Sequence, residues 1–347
     1  MIKEFSFKAV FSDAGVYVYT ENGDFVIAIV YVDDALFLGP NKALCLKMKA
    51  KFMKRWECRD LGDAKEFLGM RITRSGQRIS IDQIDYLDKL LERCGAVNAR
   101  AASTPLPAGF FPTPHTGSAD PELRHRFQVV IGSLLYIMLG TRPDIAFAVT
   151  KLAQYSANPS REHLNAAQHI CRYLAGTREY KLVYDGASKL GLVAFADSDW
   201  NTDPHNKRRP QSGFFLKLAN GSITWTSRTQ KTVALSSTEA EYMALSDASR
   251  QLSWIRNLFM EIGLTLHKPI PLHGDNQGSI FVSQNPVLDK RLKHIDIRFH
   301  YIRQEILAKK IDVFFIEGAQ NPADLFTKNL GRVKFDLFRS QLGLEFK

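Results

Sequence analysis

Four carboxylates in the C-terminal half have the types and settings of a metal-holding set. Asp197 lies in AFADSDW, Glu239 in SSTEAEY, Asp275 in LHGDNQ and Asp324 in NPADLFTK. Mg2+ prefers hard oxygen ligands, so a site for it draws carboxylates from several segments. Two such ions, about 3.5–4 Å apart, can activate a water and stabilise a leaving oxygen in phosphodiester hydrolysis. Each acid also has an ordinary structural use. Asp197 could end a strand on its solvated face, and Asp199 shares that face by the period of two. Ser236-Ser237-Thr238-Glu239 fits a capping box, with Glu241 a further acidic neighbour. Asp275 could cap the helix that follows it. Asn321 and Pro322 suit the start of a helix, where Asp324 would complement the dipole. The four together favour chemistry. A second acidic motif, Tyr31-Val32-Asp33-Asp34, lies near the N-terminus and reads as part of a site only.

The elements that would carry these residues follow from periodicity. AGVYVYT and DFVIAIVYV read as two strands, with Glu21-Asn22-Gly23-Asp24 as the hairpin turn. Leu44–Trp56 has helical spacing. EFLGMRIT and RISIDQ read as short strands, and Asp82–Cys94 as an amphipathic helix. Residues 103–122 hold Pro105, Pro107, Pro112, Pro114 and Pro121 among Ser, Thr and Gly, which is a linker or an extended surface crossing. Residues 123–177 are helical in pattern. LGLVAFADSDW, SGFFLKL and SITWTSR form a three-stranded meander, followed by a long helix from Thr238. IPLHGDN is a strand, NQGSIFVSQ a short helix, KHIDIRFHYIRQEILAKK a basic helix, IDVFFIEG a strand and PADLFTKNL a last helix. Strands followed by this alternation give a mixed sheet with helices on its faces.

A chain of 347 residues is long enough for two or three domains. Its net charge of +10 is compatible with a polyanionic partner, although many proteins of that charge never bind one. Cys45, Cys58, Cys94 and Cys171 make no CxxC pair, so neither a zinc site nor a disulfide framework is expected. No apolar run approaches the ~20 residues that cross a bilayer. MIKEFSFKAV lacks the apolar core of a signal peptide. An intracellular protein without a membrane partner is expected, with cytoplasm and nucleus undistinguished.

AFADSDW, TVALSSTEAEYMAL, GDNQGSI, KHIDIRFHYIR and NPADLFTK together resemble the ribonuclease H domain of Ty1/copia-type retrotransposon Pol polyproteins. YVDDALFLG, LGDAKEFLGMRI, STPLP, IGSLLYIMLGTRPDIAFAV and HLNAAQHICRYLAGT resemble the second half of that family's reverse transcriptase and its connection. The resemblance implies an α/β and α+β multidomain chain. Residues 1–102 would be a partial reverse transcriptase palm and thumb region, and 103–122 a linker. Residues 123–185 would be a helical connection, and 186–347 a ribonuclease H-like mixed five-stranded sheet with flanking helices. It further implies that Asp197, Glu239, Asp275 and Asp324 bind two Mg2+ ions, or Mn2+, and cut the RNA of an RNA–DNA hybrid to leave a 3′-hydroxyl. A glutamate in second place separates the set from the related integrases.

In the resembling polymerases Asp33 would hold metal with Asp34 beside it, while a further aspartate comes from an earlier palm strand. Asp13 and Asp24, the earlier aspartates here, lack that setting. DNA synthesis by this chain alone is therefore not expected, and an upstream Pol fragment is a candidate partner. Lys293, His294, Arg298 and Arg303 recur at helical spacing and are candidates for phosphate contact. The competing reading is a catalytically inactive or co-opted nucleic-acid-binding remnant of a transposable element. Mg2+-dependent hybrid cleavage separates the two.

Overall fold

The computed structural model describes residues 5–188, 191–200, 202–205, 209–285 and 300–346. Its strands are β1 (Lys8–Ala9), β2 (Val16–Glu21), β3 (Asp24–Tyr31), β4 (Asp34–Leu38), β5 (Glu66–Phe67), β6 (Met70–Ser75) and β7 (Arg78–Asp82). They continue with β8 (Tyr180–Asp185), β9 (Val193–Asp199), β10 (Gln211–Leu218), β11 (Gly221–Thr229), β12 (Ile270–Gly274), β13 (Ile311–Phe315) and β14 (Leu344–Phe346). The helices are α1 (Lys42–Arg55), α2 (Ile84–Arg93), α3 (Pro121–Gly140), α4 (Ala146–Ala153), α5 (Arg161–Gly176), α6 (Ser237–Glu261), α7 (Gln277–Gln284), α8 (Tyr301–Leu307) and α9 (Arg332–Gln341).

The first sheet has the order β1-β2-β3-β4, antiparallel throughout. Asn22 and Gly23 both adopt positive φ, as the tight β2–β3 turn requires, and an Asn-Gly pair adopts it cheaply. Helix α1 packs Leu44 and Met48 onto Phe7, Val26 and Ala28, a small core of its own.

The sheet that carries the acids has the order β11-β10-β9-β12-β13. β9, β10 and β11 are the antiparallel meander, while β12 pairs in parallel with both β9 and β13. Alternation along β9 splits its faces. Ala194 and Ala196 pack toward α6 with Ala240 and Ala248. Phe195 faces the other way, onto a larger core of α2–α5, α9 and the turn at Leu325–Phe326.

A third sheet, β14-β8-β7-β6-β5, revises the expected domain boundaries. β7 pairs with β8, and β8 with β14, so segments expected in three separate units share one ladder. The boundaries at 102 and 185 do not fall at structural breaks, because the apolar face of β9–β11 is covered by the preceding helices. Trp225 Nε1 donates to the Met138 carbonyl at 3.0 Å, and Thr150 and Ser227 hydroxyls meet at 3.1 Å. The proline-rich stretch is a fixed surface crossing: Leu106 is buried, and Asn158 donates to the carbonyls of His115 and Gly117. The last segment also differs from expectation. Pro322–Phe326 is a 3-10 turn, and the following helix is α9.

Candidate metal centre

β9 presents Asp197 two residues before its end, 1% exposed. The parallel register pairs Phe195 with His273, so Asp197 and Asp275 each stand two residues beyond paired positions on neighbouring strands. β12 ends at Gly274, and Asn276 caps α7 through Ser279 N at 2.8 Å. The neighbour's capping leaves the Asp275 carboxylate for other use. Small residues let α6 lie close to β9, and Glu241, one turn into that helix, accepts from Ser198 N at 3.2 Å. Ligating oxygens of Asp197, Glu241 and Asp275 all lie within 4.8 Å of one another. Among the described residues this is the one group of three His, Cys, Asp or Glu side chains so arranged.

The glutamate of this cluster is Glu241, and this corrects the expectation for Glu239. Ser236 Oγ accepts from Glu239 N at 3.2 Å, and Glu239 Oε2 accepts from Leu235 N at 2.7 Å. Glu239 thus serves the helix start. Residues two apart on a helix do not share a face, so both glutamates cannot point into one site. The Ser236 cap was readable in the sequence and was the signal for passing to Glu241, although Glu239 accepts from Leu235 N rather than from the cap's own N–H.

Asp324 is 2% exposed in the 3-10 turn, and Asn321 rather than Asp324 makes the cap, accepting from Ala323 N at 3.2 Å. The Asn321 amide also donates to Ala196 O at 3.0 Å, fastening the turn to β9. Asp324 reaches the cluster through a lysine. Lys328 Nζ stands 2.7 Å from Asp324 Oδ1 and 3.5 Å from Asp197 Oδ2, and Lys334 pairs with the other Asp324 oxygen. The Thr327 hydroxyl donates to Asp197 Oδ2. Sequence reasoning passed over Lys328, Lys334 and Thr327; the i, i+4 spacing of Asp324 and Lys328 was its one available trace.

Burial governs the electrostatics. It pushes the Asp197 carboxyl up to about 7, with Lys328 opposing and the charges of Asp324 and Asp275 adding to the rise. Burial, then Asp197 and Asp275, lift Glu241 well above the usual carboxylate range. Burial likewise raises Asp275. Burial works against the charge of Lys328, but Asp197 and Asp324 outweigh it and hold the ammonium above its ordinary range. Like carboxylates this close disfavour joint ionisation unless a cation sits among them.

The remaining candidates lie elsewhere. Asp33 is in the exposed turn between β3 and β4, and Asp34 opens β4 opposite Tyr31. Val32 in that turn has φ of 52°, a costly conformation for a β-branched residue. Among the described residues no third metal-ligating side chain groups with this pair. Asp199 bonds Thr202 rather than joining the cluster. Arg303, half-buried, donates to Val282 O at 2.9 Å with its guanidinium over the Tyr242 ring. Lys293, His294 and Arg298 lie outside the described residues.

A mixed sheet with acids at the ends of adjacent strands and on a crossing helix is a ribonuclease H-like fold. Residues 1–108 match the family model described as reverse transcriptase (RNA-dependent DNA polymerase). The chain is 35% identical, over 99% of its length, to a Retrovirus-related Pol polyprotein from transposon TNT 1-94 of Nicotiana tabacum, and covers 26% of it. It is 30% identical to a putative transposon Ty5-1 protein of Saccharomyces cerevisiae, covering 75% of that protein and 67% of itself. A foamy viral protease-reverse transcriptase structure, solved with an RNA/DNA hybrid, aligns over 87% of this chain and 41% of that one, at 13% identity and TM-score 0.44. The chain belongs to the Ty1/copia-type retrotransposon Pol polyprotein family. It spans about a quarter of the length of the tobacco and Arabidopsis thaliana Pol polyproteins it matches.

Proposed function

We propose that this chain carries a metal-dependent ribonuclease that cleaves the RNA strand of an RNA–DNA hybrid. The observation that carries the reading is the convergence of Asp197, Glu241 and Asp275 within 4.8 Å from a strand, a helix and a second strand end. The donor set is all carboxylate oxygen, without His or Cys, which suits Mg2+ and tolerates Mn2+. Two divalent ions there would supply an activated water and counter-charge for the leaving oxygen.

The chain's own groups hold that arrangement. Thr327 fixes one oxygen of Asp197, and Ser198 N–H fixes one oxygen of Glu241. Lys328 and Lys334 hold Asp324 beside them. Choice of RNA would rest on its 2′-hydroxyl and on the shape of the hybrid's minor groove.

The test is cleavage of an end-labelled RNA–DNA hybrid with Mg2+ or with chelator. The expected result is Mg2+-dependent cutting of the RNA to 3′-hydroxyl products, abolished in Asp197→Asn with the fold intact by circular dichroism. Binding without cutting would support the remnant reading instead, and wild-type rates in Asp197→Asn would remove Asp197 from the site.

A further inference from the structure

We propose that Lys328 is an exchangeable internal cation of this site: its ammonium bridges Asp197 and Asp324 in the metal-free chain, and must leave that bridge when a divalent ion loads between them. The inference rests on the reading of the cluster as a metal centre and adds a positioning residue to it. Its basis is the geometry. Asp324 has each oxygen taken by an ammonium, Lys328 on one and Lys334 on the other. Lys328 alone of the two also faces Asp197. A divalent ion drawn to both Asp197 and Asp324 would compete with the Lys328 ammonium for the same two carboxylates.

The side chain has a way out. The Lys328 side chain is 36% exposed, while those of Asp197 and Asp324 are 1% and 3% exposed. Its four-carbon stem can carry the charge to water without moving the turn. The acids are held in place: Asn321 fastens the turn of Asp324 to β9, and Thr327 holds Asp197. Lys334 would stay on Asp324 in both states, so the turn keeps one cation throughout. The bridge thus gives the metal-free site a built-in partner, and sets a competition for the ion on the Asp324 side.

The experiment measures Mn2+ binding to chelator-stripped protein by titration calorimetry, with bound ions counted by electron paramagnetic resonance. Lys328→Met should tighten the weaker binding step by about tenfold, a modest figure for removing a unit charge at contact distance. Its metal-free melting temperature should fall, and Mn2+ should raise it by more than in the wild type. Lys328→Arg keeps the charge and should bind Mn2+ no more tightly than the wild type. The unaltered chain gives a further readout should the Met variant not fold: amine labelling of Lys328, followed by mass spectrometry, should speed up several-fold when Mn2+ is added. Equal Mn2+ constants in the wild type and Lys328→Met, or labelling that is unchanged or slowed by Mn2+, would overturn the inference and leave the metal reading standing. No Mn2+ binding by any of these proteins would remove the metal reading itself.

Discussion

Two buried acids and a half-buried one, clustered within 4.8 Å, set the residue-scale behaviour of the metal-free chain. The Asp197 carboxyl ionises near 3.8 when unperturbed and about 7 when folded. The folded chain therefore binds that proton more tightly than the unfolded chain does. Its contribution to stability is full below the unfolded value and is lost as pH rises through about 7. Asp197→Asn has no such proton to lose. In chelator, melting curves from pH 4 to 8 should show the variant gaining on the wild type as pH rises, and a difference that stays flat would contradict the burial of Asp197. At this scale the sequence reads Asp197 inside a strand and Asp275 just past a second one, and both are found there. It was ambiguous for the glutamate. Glu239 and Glu241 are near-identical neighbours, and only the turn of the helix decides which one reaches Ser198 N.

Among the elements, the placing of Asp324 and Thr327 depends on how closely a short turn can lie on β10. Gly213 pairs with Asp197 across the ladder. A methyl group at 213 would come 2.4 Å from Phe326 Cβ and 3.0 Å from its carbonyl carbon. Real side-chain carbons do not approach that closely, so the turn would have to shift. Gly213→Ala should cost about 1–3 kcal/mol by overpacking. It should also cut hybrid cleavage by more than its stability loss explains, because the turn carries Asp324, Thr327 and Lys328 together. Denaturant melts with parallel cleavage assays check this, and unchanged stability and activity would show that the turn does not rest on Gly213. The meander, the long helix and the two later strands were readable from alternation and capping residues. β8 and β14 were not, since each is short and pairs only with segments far along the chain.

For the whole molecule, the ribonuclease H-like sheet shares a core with the helices before it. Phe195, Phe215 and Trp225 pack into the core made by the helices before it. Arg339 of α9 donates to the hydroxyls of Tyr173 and Tyr180, at 3.2 Å and 3.1 Å. That core is tied further by the buried pair of Arg142 and Asp144, which the Tyr173 hydroxyl joins at 2.5 Å. Residues 186–347 expressed alone would expose this apolar face and lose the β8 partner of β14. They are expected to aggregate or to lack cooperative melting, whereas residues 66–347 should melt as one unit. A fragment 186–347 that melts at the full chain's temperature would show that the sheet stands alone. Composition left residues 103–122 open between a linker and a surface crossing, because a proline-rich segment looks the same in sequence whether it swings freely or is fastened, as here, by Asn158.

Asp197, Glu241 and Asp275 are proposed to form one metal-dependent cleavage centre, with Glu239 serving the helix start. The direct measurement compares Glu241→Gln with Glu239→Gln in single-turnover cleavage of an RNA–DNA hybrid under saturating Mg2+. Glu241→Gln should slow cleavage by about 10²–10³-fold, the scale of losing one group that stabilises the transition state. Glu239→Gln keeps an oxygen to accept from Leu235 N, so it should keep most of the rate with little change in stability. Loss of cleavage in Glu239→Gln with wild-type rates in Glu241→Gln would contradict the account.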